Sequence, residues 1–172
     1  MSVEAILEEN SLDGMYCRWA LAWVAKPREV LQKVHKALKP GGRMVLHEYY
    51  DWSTHQTNPS KPALSKAIAA CLRSFKEQEG DIDVGKELPI ILEEMGMKLI
   101  STRPMIKMAR PHELTWQWPR SFYNIYLPKL VGMGYLEPAT VQEALEDVKQ
   151  LERDPASTLC CPMLIEVIAE KQ

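Results

Sequence analysis

The chain has 172 residues, 46% of them apolar and 26% charged, enough to bury one core of ordinary size. Its net charge of −2 is spread along the chain without a basic stripe, which removes any electrostatic ground for nucleic acid or an anionic membrane surface as a partner. The stretch Met1 to Asn10 carries Glu4, Glu8 and Glu9 and no apolar run, so neither a signal peptide nor a spanning helix is expected there, and a cytoplasmic setting follows.

Leu12 to Trp19 is short, apolar and aromatic, and reads as a buried parallel strand rather than a half-exposed alternating one. Pro27 suits the first turn of a helix. Val30, Leu31, Val34 and Leu38 then recur at helical spacing, with Lys36 and Lys39 near the C-terminal end, where cations complement the dipole. Pro40-Gly41-Gly42 ends that helix, and Arg43 to Tyr49 follows as a second strand, completing one βαβ unit.

Asp51 to Pro62 is polar and proline-bearing, a loop at the carboxyl end of a strand, where ligands bind in open α/β sheets. A helix is predicted from about Ala63 to Glu79, with Leu64, Ile68, Cys71, Leu72 and Phe75 on one face and Gly80 as its stop. A shorter helix carries Leu88, Ile91, Leu92 and Met95 and closes on Gly96. Met97 to Arg103 and Met163 to Glu170 are predicted strands.

Between them, Trp116, Trp118, Phe122, Tyr123, Tyr126 and Tyr135 fall in a stretch interrupted by Pro111, Pro119 and Pro128, more like a lid than a core helix. Pro138 opens a cleaner helix with Val141, Leu145, Val148 and Leu151 on one stripe and Glu143, Glu146 and Asp147 on a solvated face. The four cysteines, Cys17, Cys71, Cys160 and Cys161, read as reduced, mostly buried small hydrophobes, since the one close pair is adjacent. His35 and His112 read as exposed. No metal site is expected, because His47, Asp51 and His55 do not converge.

The ordered set of Asp13, Arg18-Trp19, Pro27 with Val30 and Leu31, and Leu38-Lys39-Pro40-Gly41-Gly42 before a strand resembles the middle of a class I S-adenosylmethionine-dependent methyltransferase. Later features fit the small-molecule members, including a helical insertion and Leu127-Pro128-Lys129-Leu130-Val131 leading to Gly134. The resemblance implies an α/β fold, a partial Rossmann-like sheet with strands equivalent to 4-5-7-6 of the family. It implies one domain over residues 1–172, the C-terminal part of a methyltransferase domain, with a helical insertion or lid at 111–153.

In the family a βαβαβα half carrying a glycine-rich cofactor loop precedes the strand that begins here near Leu12. The glycines of this chain are too scattered to replace that loop. The expected function is therefore methyl transfer from S-adenosylmethionine to a small-molecule acceptor, by a chain that does not hold the cofactor alone. The alternative is a non-catalytic binding or dimerisation module derived from a methyltransferase. The Leu12 strand would present an open edge to an N-terminal half, to a second copy in a homodimer, or to Met1 to Leu7 folding back.

By resemblance, Cys17, Arg18 and Trp19 map to cofactor contacts and Trp23 to the substrate side. His47 to Asp51 leaves the sheet at its carboxyl edge, so Glu48 and Tyr49 are candidates for orienting an acceptor polar group, and Asp51 or His55 for a base. The competing structural roles are packing for Trp19, Trp23 and Tyr49, and local pairing for Arg18 and Glu48.

Overall fold

The computed structural model describes residues 7–77 and 80–172. In chain order the elements are β1 (Leu12–Arg18), α1 (Pro27–Ala37), β2 (Leu38–Asp51), β3 (Gln56–Asn58), α2 (Pro62–Lys76), α3 (Leu88–Glu94), β4 (Met97–Met105), β5 (Met108–Ala109), α4 (Leu114–Gly132), α5 (Pro138–Arg153), β6 (Thr158–Cys160) and β7 (Met163–Lys171). Short 3-10 turns occur at Leu21–Trp23, Trp52–Thr54 and Val84–Lys86. Two compact units result: Met1–Tyr50 with Glu79–Met105 and Leu164–Gln172, and Asp51–Gln78 with Ile106–Met163. Among the described residues, no helix is long and apolar enough to cross a membrane.

The first unit is built on a sheet of order β1-β2-β7-β4. β1 and β2 pair in parallel from Leu12↔Leu38 to Arg18↔His47, joined by α1 as the crossover; β4 and β7 pair antiparallel from Met97↔Lys171 to Met105↔Leu164. This is the predicted mixed α/β arrangement. Pro27 occupies the first helical turn of α1, and Leu31, Val34 and Ala37 form its buried face. Val30, predicted to share that stripe, is 39% exposed, because it stands one residue, about 100°, away from Leu31 around the helix.

The Pro40-Gly41-Gly42 turn is absorbed into β2 as an irregularity, with register shifting between Leu12 and Gly14. Gly41 has φ +79°, a backbone conformation that favours glycine. Lys171, from the end of β7, donates to the carbonyls of Leu38 at 2.6 Å and Lys36 at 3.5 Å and to Asn10 Oδ1 at 3.2 Å. It thereby adds a donor to carbonyls at the end of α1 and the start of β2, where the Asn10 amide also donates to the Lys36 carbonyl at 3.2 Å.

β1 is not the uniformly buried strand expected. Its residues are all exposed or half-buried, with Tyr16 60% exposed, since β1 stands at the edge of the sheet among the described residues and one sheet face is open. On that face Arg43 is exposed and Val45 and His47 are half-buried, whereas Met44, Leu46, Val167 and Ala169, facing the other way, are fully buried. The expected fold-back of Met1 to Leu7 falls, apart from Leu7, outside the described residues.

The second unit packs α2, α4 and α5 with a small sheet of order β3-β6-β5, antiparallel at both ladders. Here the structure corrects four expectations. The polar stretch from Asp51 to Pro62 is not all loop: Trp52 is buried in a 3-10 turn and β3 pairs with β6. The helix predicted to reach Glu79 ends at Lys76, and Glu79 lies outside the described residues.

The aromatic segment is one continuous helix through Pro119 and Pro128. Those prolines cannot donate to the carbonyls four residues back; burial of Trp116, Pro119, Tyr123, Leu127 and Leu130 offsets the loss. Asp147, expected on a solvated face, accepts from the Leu64 amide at 3.0 Å and so caps the first turn of α2. Leu145 is half-buried while Val141, Val148 and Leu151 are buried as predicted.

Candidate functional site

In the first unit the carboxyl ends of β1 and β2 lie side by side, with Arg18 opposite His47. The chain leaves β1 through Trp19, whose φ of 55° is unusual for a residue with a bulky side chain. Three contacts hold it there. The Trp19 amide donates to the His47 carbonyl at 3.1 Å, its ring stacks on Tyr49 at 6.1 Å between centroids and 6° between planes, and the Arg18 guanidinium covers it at 4.0 Å.

Glu48 organises the same turn from β2. It is fully buried, and its Oε1 accepts from the amides of Ala20 at 2.9 Å and Leu21 at 3.1 Å and from the Cys17 thiol at 3.4 Å. Its Oε2 is buried without a hydrogen-bond partner among the described residues. Burial, followed by the nearby Glu48 carboxylate, pushes the Cys17 thiol up to about 11, so at neutral pH it is a thiol that donates, not a nucleophile.

The structure thus brings Cys17, Arg18, Trp19, Glu48 and Tyr49 together. Tyr49 is buried under Trp19, and Trp23 is 49% exposed on the 3-10 turn. Asp51 belongs to the second unit. Its carboxylate accepts from the Ser53 amide at 2.9 Å and the Ser53 hydroxyl at 2.6 Å, capping the Trp52–Thr54 turn.

His55, the other candidate base, is 4% exposed in the second unit. Its Nδ1 donates to the Cys160 carbonyl at 2.8 Å and its Nε2 accepts from the Tyr123 hydroxyl at 2.5 Å. Burial pulls its pKa down to about 4; the imidazole is neutral and both nitrogens are engaged. Nothing in the local sequence marked Cys160 or Tyr123 as its partners, because both come from distant elements.

Two glycines wall the first-unit site: Gly80, read in the sequence only as a helix stop, and Gly85, which had no assigned part. A Cβ on Gly80 would clash with the Ala22 carbonyl, and one on Gly85 would stand 2.5 Å from the Tyr49 carbonyl and 2.8 Å from Ile165. The close approach that glycine permits is used here by the protein's own backbone. Neither glycine is a cradle for a nucleotide-like ligand, and Gly41, Gly96 and Gly134 serve turns at positive φ. The described residues offer one ordered wall at the strand ends of the first unit.

A surface hollow of about 370 Å³ lies elsewhere in this unit, lined by Arg28, Gln32, His35, Lys36, Glu94 and Met95. Arg28 and Glu94 are paired across it at 2.6 Å. His35, predicted exposed, is half-buried, and burial followed by Lys171 lowers its pKa.

Residues 1–46 match the family described as "Methyltransferase domain". No curated protein sequence matches the chain. Among solved structures, the chain is similar to a candidate methyltransferase from Bacillus halodurans C-125, at 12% identity and a TM-score of 0.57, covering 98% of this chain and 73% of that one. It is also similar to a candidate sarcosine dimethylglycine methyltransferase from Galdieria sulphuraria, at 14% identity and a TM-score of 0.50, covering 99% of this chain and 56% of that one. A third is geranyl diphosphate C-methyltransferase from Streptomyces coelicolor A3(2), in complex with Mg2+, geranyl diphosphate and S-adenosyl-L-homocysteine, at 12% identity and a TM-score of 0.48 over 98% of this chain and 51% of that one. This chain thus spans little more than half the length of the latter two. It has the mixed α/β fold of the first two structures, with the methyltransferase-domain match carried by its first 46 residues.

Proposed function

We propose that this chain is the acceptor-side portion of an S-adenosylmethionine-dependent methyltransferase acting on a small molecule, and that alone it neither holds the cofactor nor turns over. The observation that carries the reading is the wall at the ends of β1 and β2, where Glu48 holds Ala20 and Leu21 and Trp19 is fixed between Arg18 and Tyr49. Methyl transfer asks a protein chiefly for positioning and desolvation, and a rigid aromatic wall at the carboxyl edge of a sheet supplies both. Cys17, Arg18 and Trp19 would border the cofactor, and Trp23, Glu48 and Tyr49 the acceptor. The four free thiols favour a reducing, cytoplasmic setting.

The rest of the cofactor seat would come from a glycine-rich strand-loop-helix half pairing with the open edge of β1. That edge also favours a second reading, a non-catalytic module that dimerises through β1. Isothermal titration of the purified chain with S-adenosylhomocysteine, paired with sedimentation, tests both. No saturable heat at millimolar ligand is expected; micromolar binding by the chain alone would overturn the incomplete seat. A stable β1-dependent dimer that never binds the ligand would favour the second reading.

A further inference from the structure

Four side chains, one from each strand of the first sheet, form a continuous polar line across its open face. The Tyr16 hydroxyl on β1 lies 3.2 Å from His47 Nδ1 on β2, with the two rings edge to face at 5.2 Å and 84°. His47 Nε2 lies 2.8 Å from Glu166 Oε2 on β7. Arg103 on β4 closes the line as a fork, Nε at 2.6 Å from Glu166 Oε1 and a terminal nitrogen at 3.1 Å from Oε2. The register explains the alignment, since Arg103 stands directly opposite Glu166 and Tyr16 is diagonal to His47.

The chemistry of the line has a direction. Arg103, then His47, holds the Glu166 carboxyl below the usual carboxylate range, so it is an ionised acceptor for the Nε2 proton of His47. That bond fixes the tautomer and turns the Nδ1 lone pair toward the Tyr16 hydroxyl. Tyr16 is the outermost member and open to solvent. A nucleophile within hydrogen-bond reach of a base, itself oriented by a third group, is the arrangement that activates hydroxyls for group transfer.

We propose that Tyr16 is an activated phenol that accepts acyl groups from activated esters, with His47 as its base and Glu166 and Arg103 as positioning residues. The inference is independent of methyl transfer. Tyr16 Oη attacks the acyl carbon, a new ester C–O bond forms, and the bond to the leaving alkoxide or phenolate breaks. The phenolic proton passes to His47 Nδ1 and from there to the leaving group or water, so no oxidant or reductant is involved and the product is O-acyl-Tyr16.

The test treats the full chain with 4-nitrophenyl acetate at neutral pH, following nitrophenolate release and mapping acetylated residues by mass spectrometry. Tyr16 is expected to be acetylated about tenfold or more faster than in the same chain unfolded in urea. His47→Gln should remove that advantage and Glu166→Gln should reduce it severalfold, with lysine acetylation unchanged and circular dichroism reporting a native fold. If Tyr16 reacts no faster in the native chain than in urea, or at an unchanged rate in folded His47→Gln, exposure alone accounts for its reactivity and the proposal fails. The urea comparison uses no substitution, so it decides even if a variant does not fold.

Discussion

Acidification should destabilise the second unit through His55. Above about pH 6.5 the imidazole is neutral in both folded and unfolded chains, so it contributes no pH dependence. Between 6.5 and its buried value of about 4, the unfolded chain binds a proton that the native chain refuses, and stability falls as pH falls. Below about 4 both states are protonated and the loss is complete. The gap corresponds to about 3 kcal/mol, at ~1.4 kcal/mol per pH unit, a large share of the ~5–15 kcal/mol typical of a folded domain.

The structural origin is specific: protonation would place a charge in a site 4% exposed and would take away the lone pair that receives the Tyr123 hydroxyl. Urea unfolding at about pH 7.5, 6.5, 5.5 and 4.5 measures the effect. His55→Asn keeps a donor toward the Cys160 carbonyl without a titrating group, and its stability should be flatter than wild type by about 1 kcal/mol per pH unit over the lower part of that range. Parallel curves for the two proteins would refute the reasoning, as would an NMR titration of the native His55 ring centred near the ordinary histidine value.

Glu48→Ala should cost about 3 kcal/mol, since it strips two backbone amides of a charged acceptor, while Glu48→Gln, which keeps an acceptor oxygen, should cost about 1 kcal/mol; equal losses in thermal melts would contradict the role given to Oε1. The buried thiols should be slow toward Ellman's reagent at mildly alkaline pH, because burial raises Cys17 and Cys161 to about 11 and Cys71 to about 12. Cys160 should react first and all four rapidly in urea; native Cys71 reacting at its unfolded rate would contradict that packing.

The β1-α1-β2 unit was legible because its signals are local. Pro27 at the first helical turn, the Leu31–Val34 stripe and the glycine turn each act within a few residues, and the resemblance reinforced their order. The second sheet was not legible. β3 and β6 have three residues each and β5 two, too short to show a period. Their pairing is set by partners such as Gln56↔Cys160, remote in sequence.

The prolines in α4 argued against a continuous helix, and only burial of its apolar face overrides them. For the site, sequence indicated where Glu48 and Trp19 stand, at the ends of strands. It could not show that Glu48 would turn back to the Ala20 and Leu21 amides, that Trp19 would take a positive φ, or that His47 would find Glu166. Those choices depend on which strand lies beside which.

The position of β7 has a consequence for how the sheet is assembled. The strand formed last in the chain is inserted between β2 and β4, so β4 has no place in the sheet until β7 has emerged and zipped against both neighbours. During synthesis, β2 and β4 therefore each offer an unsatisfied edge for as long as the intervening α4 and α5 take to be made. Two of the three ladders of this sheet thus depend on one strand remote in sequence from β2, and pairings of that long-range kind are the ones that lower folding rates.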